Sequence, residues 1–357
     1  MVEHTVYDEG TREAVLALAR DRFSPSAEHD IDRLLANPLR ADRSAVGDVV
    51  LVDGKAVCFQ ALIARRVHLD RETLQGHAGG SFVKAEKGCP ADALLGVINL
   101  EASNDGRSDL AMGNTCISRV AALSRALGKK EGPDSWRAVR FAVLRPVLMG
   151  LLVFWRKVLK RDQPALPPLG PTKLNRRYAS SGELAVRRDA ALDKAGLDAF
   201  WGRYLSANRG LVLSRTAAEL DWLFGEGVLA GTTAFLSLRR GELIEGYVVV
   251  RRMRTSPRRW QIVDLIALDN DSGRLDLLLQ GAKRFLRREA GAIMLEATGF
   301  PDRIQPLLRK VFPFVRKLGH NPFVWRAPRP ETAARVTAAL KEQEGWFFGP
   351  YDGDYCV

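Results

Sequence analysis

The chain has few cysteines, four in 357 residues, and no two stand as a C-x-x-C pair, so neither a zinc cluster nor a disulfide framework is expected. Long hydrophobic runs are missing as well. The longest, Val147 to Trp155, is nine residues, about half of what a bilayer-spanning helix needs. The N-terminus, Met1-Val-Glu-His-Thr-Val-Tyr-Asp-Glu-Gly, has no basic stretch followed by an apolar one, so no secretory leader is read there and a cytoplasmic location is expected. Acidic residues are in deficit. Fifty-four Lys+Arg against 42 Asp+Glu leave a net charge of +12, which favours anionic partners such as phosphate esters or acidic lipid. Nucleic acid is disfavoured, because no zinc-finger spacing, stacking motif or recognition helix accompanies the charge.

What is present suits a globular protein. Hydrophobic residues at 46% and charged residues at 27% leave apolar material for packed cores, and the length suits about two domains. The one compositional break, Gln163-Pro-Ala-Leu-Pro-Pro-Leu-Gly-Pro171, carries four prolines and reads as an extended connector. It sets the expected division: an N-terminal unit at 1–146, an apolar and basic segment with the connector at 147–175, a second unit at 176–330 and an aromatic tail at 331–357.

The two halves share an order of elements. In the first, Asp48 to Ile63 is two apolar runs joined by Asp53-Gly54, a hairpin signal. Gly80 to Lys84 reads as a strand and Ala91 to Ala102 as a helix. Asp109 to Gly113 reads as a strand leading into a helix with Ile117, Val120, Ala121 and Leu127 on its buried stripe and Gly128 at its end. In the second half, Thr233–Arg240 and Leu243–Val250 flank Gly241-Glu242 as a hairpin, and Trp260–Leu268 is a β-branched third strand. An amphipathic helix carries Leu275, Leu278, Leu279, Ala282, Phe285 and Leu286 on one face. Ala292–Ala297 is then a strand, Ile304–Leu318 a helix kinked at Pro313, and Asn321–Trp325 a closing strand.

This order, carried by Asp109-Leu-Ala-Met-Gly-Asn-Thr-Cys-Ile117 through Gly128 and again by Trp260 to Leu318, resembles the GNAT-type acyltransferase superfamily. The chain looks like two such units in tandem, so an α/β fold of two mixed-sheet modules is expected. The resemblance implies transfer of an acyl group from a thioester donor, acyl-CoA or an acyl carrier protein, to an amine or hydroxyl. The family's signature, Q/R-x-x-G-x-G/A, places backbone N–H groups and a helix dipole on the CoA pyrophosphate. Both loops here depart from it. In the first, Lys84-Ala-Glu-Lys-Gly-Cys-Pro-Ala-Asp92, Lys84, Lys87 and Gly88 are the candidate phosphate cradle, although Pro90 supplies no N–H. In the second, Asp269-Asn-Asp-Ser-Gly-Arg274, Arg274 is the candidate phosphate ligand. Because neither loop matches, an acidic carrier protein stands beside CoA as a donor for a basic chain.

Catalysis in the superfamily asks for a base and often a Tyr acid. Asp264 is the candidate base and Tyr247 the candidate acid; the alternative is that Asp264 faces solvent or caps a turn. Glu296 is a weaker candidate of the same kind. Asn114, at a strand-to-helix junction, is either an N-cap or a contact to the donor. No metal is expected, since His68 and His77 match no ligand spacing and Asp352 and Asp354 are only two carboxylates on a tail.

Three further features stand outside that scheme. Basic residues surround Val147–Trp155 over 137–161, which reads either as a peripheral contact with an anionic membrane or as a helix packed between the halves. Arg251, Arg252, Arg254, Arg258 and Arg259 form a basic loop tip or an anion clamp. The tail from Gly345 to Val357 is similar to the Trp then Asp-x-Asp ending of some tandem GNAT-like proteins of polysaccharide or envelope pathways. The alternative function is therefore a non-catalytic protein of the same fold that binds an anionic ligand or a membrane surface in cell-envelope or polysaccharide assembly.

Overall fold

The computed structural model describes residues 2–22, 27–40, 47–85, 108–114, 125, 128–158, 168–170, 176–208, 210–253, 256–319 and 323–342. Its strands are β1 (Val2–Val6), β2 (Gly47–Val52), β3 (Lys55–Leu69), β4 (Glu72–Lys84), β5 (Leu110–Asn114), β6 (Lys130–Glu131), β7 (Ala138–Val143), β8 (Ala179–Ser181), β9 (Leu184–Arg188), β10 (Leu211–Leu213), β11 (Thr233–Arg240), β12 (Leu243–Met253), β13 (Ser256–Ala267), β14 (Met294–Thr298), β15 (Phe314–Lys317) and β16 (Phe323–Arg326). The helices used below are α1 (Arg12–Arg22), α2 (Ala27–Leu35), α3 (Pro146–Val158), α4 (Lys194–Ala207), α5 (Ser272–Arg288), α6 (Gln305–Val311) and α7 (Pro330–Glu342).

The strands form two eight-stranded mixed sheets. The first runs β1-β2-β3-β4-β5-β16-β6, with β10 on β3; the second runs β15-β7-β14-β13-β12-β11-β9-β8. In each, a run of antiparallel neighbours ends in one parallel pair, β4 with β5 or β13 with β14.

The last strand of each half sits in the other half's sheet. β7 follows β6 in the chain but lies between β14 and β15, whereas β16 follows β15 but lies between β5 and β6. The division expected at the proline-rich connector is therefore not a division of strands, and the strand expected to close the second half closes the first. A strand's hydrogen-bonding edge is generic, so its partner is chosen by the packing of its two faces. β10, also from the second half, extends the first sheet by pairing Leu211–Leu213 with Leu69–Val67.

Local chemistry accounts for the elements the sequence announces. Asp53 and Gly54 both take positive φ at the β2–β3 turn, the conformation a tight hairpin demands. α5 buries its Leu275, Leu278, Leu279, Ala282, Phe285 and Leu286 face, and Asp271 caps it by accepting from the Arg274 N–H. Gly281 lets this helix approach β9: a Cβ there would stand 2.6 Å from Val186 Cγ1.

Other expectations change. The helix expected over Ile304–Leu318 ends at Val311, because Pro313 has no N–H to continue it and Phe314–Lys317 pairs with β7 instead, stacking Phe314 on Phe141 at 5.4 Å. The short strand at Gly80 is the end of the thirteen-residue β4. Of the 137–161 segment, the described residues include β7 and α3, so the part before Pro146 belongs to a sheet. The helices expected over 91–102 and through Ile117 to Leu127 lie outside the described residues, save Arg125.

One apolar cluster joins the sheets. It combines Val15 and Leu16 of α1, Phe59 and Ile63 of β3, Phe200 and Tyr204 of α4, and Tyr247 and Val263 of the second sheet. A second cluster lies under α5, and a third gathers Trp136, Trp325 and Leu211 where β16 and β10 meet α7.

Candidate functional site

A parallel pair that stops pairing before both strands end leaves a fork, and each sheet contains one. In the first, β4 and β5 are in register for four pairs, from Gly76 with Leu110 to Gly79 with Gly113; β4 then continues to Lys84 while β5 ends at Asn114. In the second, β13 and β14 also pair four times, from Arg259 with Met294 to Ile262 with Ala297, and β13 continues to Ala267. A bulge follows each fork on the longer strand. Residues 81 and 82 oppose only Gln60 in β3, and Val263 is the extra residue of β13 opposite β12. Such bulges take backbone amides out of the ladder.

The two forks differ in what bounds them. At the first, the last paired residues on both strands are glycines, Gly79 and Gly113. Gln60 leans over it from β3: a Cβ on Gly79 would meet Gln60 Nε2 at 2.8 Å. His77, on the same face as Gly79 by strand alternation, is held through Nδ1 at 2.8 Å from Ser108 Oγ.

The second fork is filled. Phe300 and Ile304 are buried in the same cluster as Ile262, Leu265 and Ala297. The loops leaving β13 and β14 are also tied together across its mouth. Asn270 Oδ1 accepts from Arg303 Nη2 at 2.9 Å and from the Tyr204 hydroxyl at 3.0 Å, and Asn270 Nδ2 donates to Asn208. Burial pushes the Tyr204 phenol up from its usual range. Asp269 and Asn270 hold left-handed backbone conformations here, which short polar side chains tolerate.

The residues singled out by sequence for the donor are scattered. Lys87 and Gly88 lie outside the described residues. Lys84 ends β4 and Asn114 ends β5, so both stand on the strands of the first fork. Arg274 is bound by the chain's own carboxylates, 3.1 Å from Glu245 and 3.3 Å from Asp269, and Asp271 already occupies the α5 N-terminus. A depression of about 470 Å³ beside it includes Asp271, Asp276 and Arg274 in its lining, an acidic setting for a phosphate.

Asp264 and Tyr247 are brought together, but inside the protein. The Tyr247 hydroxyl donates to Asp264 Oδ2 at 3.1 Å, Arg215 Nε donates to the same oxygen at 2.7 Å, and the Leu265 N–H donates to Oδ1 at 3.0 Å. Both partners of the ion pair are buried. Asp264 is thus neither solvated nor a turn cap, the alternatives weighed from the sequence. Arg215 follows β10, so its side chain ties a segment of the first sheet to the second sheet. Glu296 is similarly engaged, paired with Arg259 and 3.0 Å from Arg316. Arg252 lies over the Trp260 ring at 5.5 Å, which gives two arginines of the expected clamp structural partners.

The glycine fork and Gln60 were missed by sequence reasoning. The signal was present as Gly76, Gly79, Gly80 and Gly113, but glycines in strands suggest a close approach only once their pairing is known.

No protein-family profile and no curated protein matches the chain. Solved structures do. The chain superposes with a TM-score of 0.60 on an Enterococcus faecalis V583 protein described as a probable N-acyltransferase, at 12% identity, over 93% of this chain and 74% of that one. A GCN5-related N-acetyltransferase from Kribbella flavida gives 0.57 at 15% identity over 95% and 74%. Saccharomyces cerevisiae N-myristoyltransferase with bound myristoyl-CoA gives 0.51 at 13% identity over 91% and 79%. With two mixed sheets, each forked at its parallel pair, and neighbours of this kind along more than nine-tenths of its length, the chain has the GNAT-type fold.

Proposed function

We propose that this protein is an acyltransferase whose thioester donor, acyl-CoA or an acyl carrier protein, enters the fork between β4 and β5. The observation that carries this reading is the contrast at the two divergence points: Gly79 and Gly113 bound the first, whereas Phe300 and Ile304 pack the second. A pantetheine arm is an extended amide chain that binds well to unpaired strand edges, and a glycine-bounded fork leaves such edges accessible. Amides released by the bulge after the first fork are suited to hold the thioester oxygen as charge develops on it. Lys84, Lys87, Gly88 and Asn114 would carry the phosphate end, supported by a net charge of +12. The acceptor is an amine or hydroxyl. Asp264 and Tyr247 are assigned to the scaffold, because Arg215 and the buried core hold them.

Thermal-shift titration with acetyl-CoA, a long-chain acyl-CoA and acyl carrier protein tests the reading, together with thiol release on adding amines. At least one donor raises the melting temperature, and Gly79→Val, which places a side chain at the fork, removes that shift while the apo melting temperature holds. Absence of a shift with every donor overturns it and favours the non-catalytic alternative.

A further inference from the structure

Helix α3 buries Leu152 but turns a band of large apolar side chains to solvent. Val147, Leu151, Phe154, Trp155 and Val158 are each 42–78% exposed. At about 100° per residue they fall within a stripe roughly 100° wide. Contiguous exposed apolar surface of this kind marks a contact site. At the start of the same helix, Arg145 meets Arg284, Arg287 and Arg288 from the end of α5 around a depression of about 500 Å³. Backbone carbonyls fix two of the four: Arg145 donates to Arg287 O, and Arg284 Nη1 donates to Tyr178 O at 3.1 Å. Among the described residues no carboxylate forms an ion pair with any of these arginines, which gives the depression a positive lining.

From these two features we infer that α3 and the arginine depression together dock on an anionic lipid bilayer, the apolar stripe entering the interface and a headgroup phosphate entering the depression. A small soluble anion would explain the arginines but not the stripe, and an apolar protein surface would explain the stripe but not four arginines gathered at the start of the same helix. A bilayer with acidic headgroups explains both. The helix, thirteen residues long and so about 20 Å, is too short to span and lies in the interface, where Trp155 is suited to the headgroup level. This docking does not depend on acyl transfer.

The test is co-sedimentation of the full chain with vesicles of phosphatidylcholine, with and without phosphatidylglycerol. The chain partitions onto the phosphatidylglycerol vesicles at least ~10-fold more strongly. The double variant Arg287→Ser/Arg288→Ser weakens this by about 25-fold, at about five-fold per basic residue near an anionic surface. Leu151→Glu/Phe154→Glu abolishes it while the melting temperature changes little, since more than half of each residue already faces water. Equal recovery with both vesicle types, or binding that survives both double variants, overturns the proposal.

Discussion

The two forks share a pairing pattern and differ in what surrounds them. Each follows four parallel pairs and precedes a bulge on the longer strand, yet glycines bound one while Phe300 and the Asn270–Arg303 tie close the other. The difference teaches that similar strand pairing does not imply similar surroundings: the second fork is joined to the core, whereas the first ends on two glycines, and the proposed donor site rests on that contrast. Reciprocal exchange of β7 and β16 ties the halves together, because neither sheet is complete without a strand from its neighbour.

The hardest way to break this comparison is at the join. Asp264→Ala leaves Arg215 buried without its carboxylate and should cost about 3–5 kcal/mol, read as a fall in unfolding free energy by denaturant titration; Arg215→Met/Asp264→Leu should recover most of it. An unchanged stability with lost acyl transfer would instead return Asp264 to the role of base. Phe300→Ala, which empties the second fork, should cost about 3–4 kcal/mol yet leave donor thermal shifts intact, the mirror image of Gly79→Val.

A pH experiment sharpens the account of the second half. Burial raises the Asp189 carboxyl to about 6, against the pull of Arg239 and the Ser237 hydroxyl. A folded value above the unfolded one means that the native state holds the proton longer, so stability falls as pH rises from about 4 to about 6 and stays lower above that. Asp189→Asn should therefore gain on the parent protein with rising pH, by up to about 3 kcal/mol at pH 8, in urea titrations at pH 4 and pH 8. The smallest effect expected is at the Thr216 capping box, where Thr216 Oγ1 and Glu219 cap each other's backbone. Thr216→Ala should cost about 1 kcal/mol, visible as a modest shift of the urea midpoint.

Much of the fold was readable one segment at a time. The Asp53-Gly54 turn, the β11–β12 hairpin and the apolar face of α5 rest on interactions a few residues apart. β15 was misread as helix because Pro313 reads in the sequence as a kink of the helix, whereas it ends it; pairing with β7 then makes Phe314–Lys317 a strand. Less of the site was readable. Asp264 looked like a candidate base on alternation alone, since nothing near it in sequence announces that Arg215, forty-nine positions away, neutralises it. Gly79 and Gly113 looked like weak strand positions until β4 and β5 were seen in register.

From the chain alone came the turns, the helix faces and the positive charge, because backbone sterics, periodicity and composition act at short range. Tertiary structure alone decided which sheet received β7 and β16, which fork was filled and which carboxylates were neutralised. Backbone edges pair with any strand brought beside them, and a charge is set by what surrounds it, so both depend on contacts between residues far apart in sequence.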